Sequence, residues 1–444
     1  VLGSRGLGDV YKRQIYMFIK SLNIWRNTHS LILLLPIAAI YFWTFYGVWF
    51  WIPMKLRGDT NFYEDIMFKT QIDEYYVQSL IYYTLFAVVF CAYIERFVKH
   101  KSSYTNRNKE YIIEPINRLI NNKLYIGLVV SCLLGFVFLW KDDIITAMLY
   151  NMSAYSVSRF ESSTGSKESL AQFLGNIFTY LAIPLLFSNG NKFRKSLILG
   201  CFGVFYLFNL ALGNRSILLM GMSAGLMLYC EIFGTKKLLR ARNIGLGLLL
   251  FAIIHFISMI RGHNINDILS GDFEFNLLEV FSSASESSEK DAAQISMYGV
   301  LKYDVPFTFG TSVLFLISTI IPSFVGLYRP PRIYEHYVAN TIPGGVDIGV
   351  TIHHVTAWYL NFGIIGIILG ALMWGATLKY LYQRKNSFIF LYGSILFSVA
   401  SINMIRDGGI ECYKGALILG TLIPMFIMHV LLLSLIHISE PTRP

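Results

Sequence analysis

Charge is scarce in this sequence. Asp, Glu, Lys and Arg supply 14% of the 444 residues, whereas an ordinary soluble domain carries roughly 25%. So little charge cannot cover the surface of a soluble protein this long, and several apolar runs approach the ~18 to 20 residues that span a bilayer. Cysteine is sparse as well. Of five, Cys91, Cys132, Cys201 and Cys230 lie in apolar stretches and Cys412 stands in a short loop with no second cysteine near it in sequence, so neither a disulfide framework nor a zinc site is signalled. DxD, HExxH, Walker and GxSxG patterns are missing from any context where they would work, so soluble-style metal or phosphate-loop chemistry is excluded too. Neither a metal nor a cofactor is expected.

What is present is apolar and aromatic. The chain is 55% hydrophobic with 34 Phe and 28 Tyr, and its mean hydropathy is +0.52. The net charge of +10 does not point to nucleic acid, because Lys and Arg gather in short segments between apolar runs, as in the cytoplasmic loops of an inner-membrane protein. The expected fold is an all-α polytopic membrane protein of about ten transmembrane helices. Residues 1–14 and 433–444 read as translated sequencing-adapter scars rather than native protein.

Spans are expected near 30–52, 79–94, 124–140, 170–187, 197–212, 216–233 and 244–260, forming helices one to seven of a region 15–260. Three more follow at 356–378, 387–405 and 416–432, within a region 356–432. The connection 95–123, with Arg96, Lys99, Lys101, Arg107, Lys109, Arg118 and Lys123, is the most basic and serves as the cytoplasmic anchor. Between helices seven and eight lies a long extracytoplasmic loop, about 261–355. Inside it the apolar residues 309–327 would invert every later orientation if they crossed. They are expected to form a re-entrant or interfacial helix broken at Pro322, with non-helical backbone at membrane depth covered by protein or a wet cavity.

Under this topology Arg215 (GNRS), Arg261 and Arg406 (IRDGG) stand at outer helix ends. Snorkelling to headgroups is the plain explanation for each, but three together, with Arg329 and Arg332 of YRPPRIYEHY, form a candidate pyrophosphate site. A guanidinium fork pairs two phosphate oxygens at once. His353 and His354 are candidate bases, since imidazole titrates near neutral pH; Glu335, Asp347 and Asp407 are rivals. Tyr359, Trp358 and Tyr334 are candidates for packing on sugar faces, against the alternative of an interfacial aromatic belt.

ALGNRSILLMG, RPPRIYEHY after a proline-containing apolar segment, and YLNFGIIGIILG together resemble the Wzy-type O-antigen and capsule repeat-unit polymerases, over most of residues 30–432. The resemblance implies an integral membrane glycosyltransferase of the bacterial inner membrane. It would move a growing glycan from undecaprenyl pyrophosphate onto a lipid-linked repeat unit at the outer face, and as partners it implies donor and acceptor lipids, membrane lipids, a flippase and a chain-length regulator. In the family, outer-loop arginines handle pyrophosphate; here the matching positions are Arg215 and Arg261, with Arg406 matched less closely. Ala357 stands where many members carry Glu. An O-antigen ligase is the near alternative. A lipid-linked oligosaccharide flippase is the distant one, and it would call for internal repeats or broken helices near the midplane.

Overall fold

The computed structural model describes residues 2–46, 73–99, 110–149, 165–211, 215–238, 288–320, 328–341, 351–406 and 408–439. All regular structure among them is helical. In chain order the helices are α1 (Leu2–Thr28), α2 (Leu31–Tyr46), α3 (Glu74–Lys99), α4 (Glu110–Asn121), α5 (Lys123–Leu149), α6 (Gly165–Leu185), α7 (Lys192–Ala211) and α8 (Arg215–Phe233), the last followed by a single turn, Thr235–Leu238. Then come α9 (Ser288–Lys302), α10 (Thr311–Ile320), α11 (Ile333–Thr341), α12 (His354–Gln383) and α13 (Phe388–Arg406). A π-helical stretch, Lys414–Leu422, runs into α14 (Ile423–Ser439).

Among the described residues five helices are long and apolar enough to cross a membrane: Glu74–Val98, Lys123–Asp142, His354–Gln383, Phe388–Arg406 and Lys414–Ser434. Leu31–Thr44, Leu170–Leu185 and Ile217–Phe233 are apolar but shorter. The protein is therefore helical with membrane-spanning character. The span expected at 244–260 lies outside the described residues.

Two expectations are revised. The basic connection 95–123 is largely helical, because α3 continues to Lys99 and α4 occupies Glu110–Asn121. Charge conceals this helix in a hydropathy reading, yet Ile112, Ile116, Leu119 and Ile120 recur at helical spacing and are all buried, the pattern of an amphipathic helix. Within the expected loop 261–355, α10 falls where a helix was expected, α9 and α11 are additional helices, and the expected break at Pro322 lies outside the described residues.

The chain divides into two compact units. The first comprises Val1–Thr105, Ser287–Gln383 and Phe397–Ile418, and within it α3 packs on α1, α2, α9 and α12. In the second, α6 packs on α4, α5, α7, α8 and α14. There the Arg194 guanidinium donates to the carbonyls of Ile120 and Asn121 at 2.9 and 2.6 Å, placing a cation on the C-terminal carbonyls of α4. Asn117 Oδ1 accepts from Ser188 Oγ at 3.0 Å and from Asn189 N–H at 2.8 Å. Asn122 Nδ2 donates to Leu431 O at 3.4 Å. The end of α4, the turn after α6 and the later part of α14 thus meet at one end of this unit.

In the first unit α3 and the later part of α12 run parallel. Phe90 lies against Trp374 with ring centroids 5.6 Å apart, and Phe97 against Tyr382 at 6.2 Å. Lys379 Nζ lies over the Tyr93 ring at 5.5 Å.

The helix α12 is not one rod. Phe362 (φ −144°, ψ 20°) and Gly363 (φ 60°, ψ −145°) leave helical geometry, and residues 354–361 fold back along residues 364–383. Trp358 consequently sits on the small face of the second leg. A Cβ on Gly370 would stand 2.7 Å from the Trp358 indole, and one on Gly366 would collide with the Trp358 carbonyl. The glycines of NFGIIGIILG are used here: Gly363 supplies the left-handed backbone, Gly366 and Gly370 the close approach. Gly127, also in a helix, has nothing within 4 Å of its would-be Cβ. Gly366→Ala should therefore lower the thermal unfolding midpoint of the detergent-solubilised protein by the equivalent of about 1–3 kcal/mol, as overpacking does. Gly127→Ala should leave it unchanged or raise it slightly. Equal midpoints for the two variants would contradict the folded-back helix.

Candidate functional site

The segment RPPR leads into α11, whose first turn must place N–H groups that have no partner within the helix. Arg332 N–H donates to Glu335 Oε2 at 3.0 Å, the local half of such a cap. Ile333 N–H donates to Glu411 Oε1 at 2.7 Å, a contact spanning 78 residues. Glu411 thereby brings the turn after α13 against RPPR, and with it Lys414, the first residue of the π-helical stretch. Such turns recur at functional positions.

The consequence is a cluster of cations. Burial acts most on the Lys414 ammonium, and the charges of Arg329 and Arg332 are near enough to add to it; the two arginines are exposed and Lys414 is half-buried. Arg332 also stands 5.8 Å from the centre of the Phe315 ring. These three cations stand beside two carboxylates, Glu335 and Glu411, so the group is mixed in sign with positive charge in excess. Arginine's planar fork suits a phosphate, with lysine acting as a point charge. Lys414 and Glu411 are the members that the sequence did not single out, and no local signal marks them; they are joined to RPPR only through the fold.

The histidines are placed differently from a surface base. His354 is fully buried. Its Nδ1 lies 2.8 Å from Gly408 O and its Nε2 accepts from the Trp358 indole N–H at 3.1 Å, so both ring nitrogens are occupied and the proton resides on Nδ1. His353 is equally buried. Its Nδ1 accepts from Val355 N–H at 3.2 Å, which places the proton on Nε2, and that Nε2 is buried without a partner. Nearby, Tyr83 Oη and Ser296 Oγ lie 3.2 and 2.9 Å from Thr356 Oγ1.

Glu335 is exposed and caps α11. Arg406 is the last residue of α13 and is half-buried. Arg215 opens α8, but its side chain, and all of Arg261, Asp347 and Asp407, lie outside the described residues, as does any meeting of Arg215, Arg261 and Arg406. Trp358 is buried with its N–H engaged by His354, Tyr359 and Tyr334 are half-buried, and Tyr359 stacks on Tyr82. Ala357 faces the IRDGG turn, where a Cβ on Gly409 would stand 2.6 Å from the Ala357 methyl. A Glu at 357 would not fit that contact. Among the described residues no group of three His, Cys, Asp or Glu stands together as a metal site would require.

Compared with known proteins, the chain matches no protein-family model, no curated protein and no solved structure.

Burial holds the Glu411 carboxyl above its ordinary range, against the opposing pull of the Ile333 N–H and the Arg332 charge. A carboxyl raised in the folded state binds more protons folded than unfolded between the ordinary and the raised value. Its contribution to stability therefore falls as pH rises through that window and stays low above it. Glu411→Gln keeps an acceptor for Ile333 N–H and removes the charge. Its melting temperature relative to the parent should rise as pH is taken upward through the window, then level. A constant difference from acidic to neutral pH would show that Glu411 is not held this way.

Proposed function

We propose that this chain is a membrane glycosyltransferase that polymerises undecaprenyl-pyrophosphate-linked oligosaccharide repeat units into surface polysaccharide at the outer face of the bacterial inner membrane. The observation carrying this reading is the convergence of Arg329, Arg332 and Lys414, with Glu411 and Glu335 organising the backbone between them. A pyrophosphate leaving group needs charge neutralised as its bond to the sugar breaks, and preorganised cations provide that stabilisation.

In the reaction, the acceptor hydroxyl oxygen attacks the anomeric carbon. The bond from that carbon to the pyrophosphate oxygen breaks, and undecaprenyl pyrophosphate leaves with the electron pair, so a single displacement inverts the centre. The hydroxyl proton passes to a carboxylate. Glu335, exposed beside Arg332, is suited to accept it, whereas the buried and hydrogen-bonded His354 is not.

The outer location of this cluster is part of the proposal. The described residues of α10 number ten and cover about 15 Å, half of a ~30 Å hydrocarbon core, which suits a segment that does not cross.

One observation favours transport instead. A discontinuous helix such as α12 is typical of transporter sites. Residues 364–383 alone, however, cover about 30 Å, enough for a complete span, so the break need not interrupt a crossing. An O-antigen ligase would use the same pyrophosphate-linked donor, so the same cations would serve it. A deletion strain separates the three: one-repeat glycan marks a polymerase, unattached long chains a ligase, and repeat units retained on the cytoplasmic side a flippase.

At matched expression, Arg329→Ala, Arg332→Ala and Lys414→Ala should each reduce long-chain glycan by about 10- to 100-fold, the loss expected for a hydrogen bond to a charged group. Arg332→Lys should retain part of the ladder. Ladders of parental length from all three alanine variants would remove the pyrophosphate role from this cluster.

A further inference from the structure

Near the turn that precedes α10, side chains of α3, α12 and the residues after α9 form a second cluster that the anion site does not use. The Tyr82 and Tyr359 rings stack, with centroids 5.1 Å apart and 27° between planes. Phe307 leans on Tyr359 at 5.5 Å. Polar groups are interleaved with the rings: Gln78 Nε2 donates to Tyr82 Oη at 2.8 Å, and the Asp304 carboxylate acts on the Tyr359 hydroxyl, which also interacts with that of Tyr82. Gln78, Asp304 and Phe307 are exposed, and Tyr82 and Tyr359 half-buried.

The arrangement is held rather than incidental. Thr308 N–H donates to Leu360 O at 2.8 Å, filling a carbonyl that the break in α12 leaves without a helical partner. Asn361 Nδ2 donates to Ser312 Oγ at 3.0 Å and to Ala357 O at 2.7 Å. Phe362 covers Gly310, whose would-be Cβ lies 3.1 Å from that ring, and Phe307 faces Gly363 in return. Asp304 and Phe309 adopt left-handed φ of 48° and 46°, a region costly for side-chain-bearing residues, above all bulky ones.

We infer that Gln78, Tyr82, Asp304, Phe307 and Tyr359 form a sugar-binding subsite, with ring faces for the apolar face of a hexose and Asp304 and Gln78 for its hydroxyls. This inference rests on the glycosyltransferase reading, in which a substrate carries sugar and pyrophosphate together. An aromatic belt facing lipid explains the cluster poorly, since an exposed carboxylate, Asp304, and an exposed amide, Gln78, accompany the rings and are unfavourable against hydrocarbon. The two sites are also joined in the fold. His336 Nε2 of α11 lies 2.9 Å from Pro306 O, next to Phe307, so the helix that Arg332 leads into touches the segment carrying one of the rings.

The test uses the full chain in lipid nanodiscs and, as probe, the host's own repeat-unit oligosaccharide released from its lipid by mild acid. Saturation-transfer NMR should show contact with the sugar ring protons in the parent. Tyr359→Ala and Phe307→Ala should weaken it about tenfold or more, in line with the loss of aromatic contacts. Asp304→Asn, an exposed change compatible with folding, should weaken it several-fold. Lys192→Ala, an exposed change in the second unit, should leave it intact. A parent without transfer, or parental transfer in both aromatic variants, overturns the subsite while leaving the anion-site test standing. A spin label at Asp304→Cys relaxed by lipid-soluble oxygen rather than by a water-soluble nickel chelate overturns it as well, by placing the cluster in lipid.

Discussion

The reversal of α12 at Phe362 and Gly363 is the constraint on which the first unit rests. A helix that turns back on itself leaves backbone groups without helical partners, and inside a low-dielectric interior each such group costs several kcal/mol if unmet. Here the Leu360 carbonyl is taken up by Thr308 N–H and Asn361 bridges Ser312 and Ala357. The glycines that permit the turn would give little stability without these partners. Through them, the segment before α10 has its position fixed by the same residues that fix the fold of α12.

The buried histidines belong to that frame. His354 joins the first leg of α12 to the turn after α13 through Gly408 and to its own helix through Trp358. The glycine pair of IRDGG lets that turn lie close to His354 and Ala357, and its continuation carries Glu411 to the start of α11. A line of contacts thus runs from the helix reversal, through His354, to the cations. The two hydrogen bonds of the imidazole fix its direction within this frame. Interior polar groups satisfied in this way specify one arrangement, because any other leaves a donor unmet.

Much of this architecture was legible in the sequence. The apolar runs at 124–140, 216–233 and 387–405 are helices where they were expected, because a span needs little beyond length and hydropathy. Where polar residues mix with apolar ones the reading weakened: α4 was hidden by Arg118 and its other charged residues, and only the spacing of Ile112, Ile116 and Ile120 reveals its buried face. YLNFGIIGIILG stood out as a motif, but nothing in it announced a reversal, since Gly within a membrane helix ordinarily serves close packing. At the candidate site, Arg329 and Arg332 were legible from RPPR. Lys414 and Glu411 were not, because their role comes from a contact across 78 residues. His353 and His354 were legible as noteworthy but not as buried, since composition near a helix start does not say which way a ring faces.

Placing the cations and the aromatic cluster on one frame has a consequence for how a lipid-linked sugar would be handled. Exposed charges on separate flexible loops hold an anion weakly, because ordering each side chain opposes the gain. The cations here are anchored at the backbone: Arg332 and Ile333 donate to Glu335 and Glu411, and Pro330 and Pro331 restrict the chain before them. The rings are anchored by the α12 reversal, and α11, which begins next to Arg332, touches the segment of Phe307 through His336 and Pro306. A substrate engaging phosphate at one end and sugar at the other would meet groups already ordered, so less of its binding would be lost to entropy and more would remain to orient the anomeric carbon.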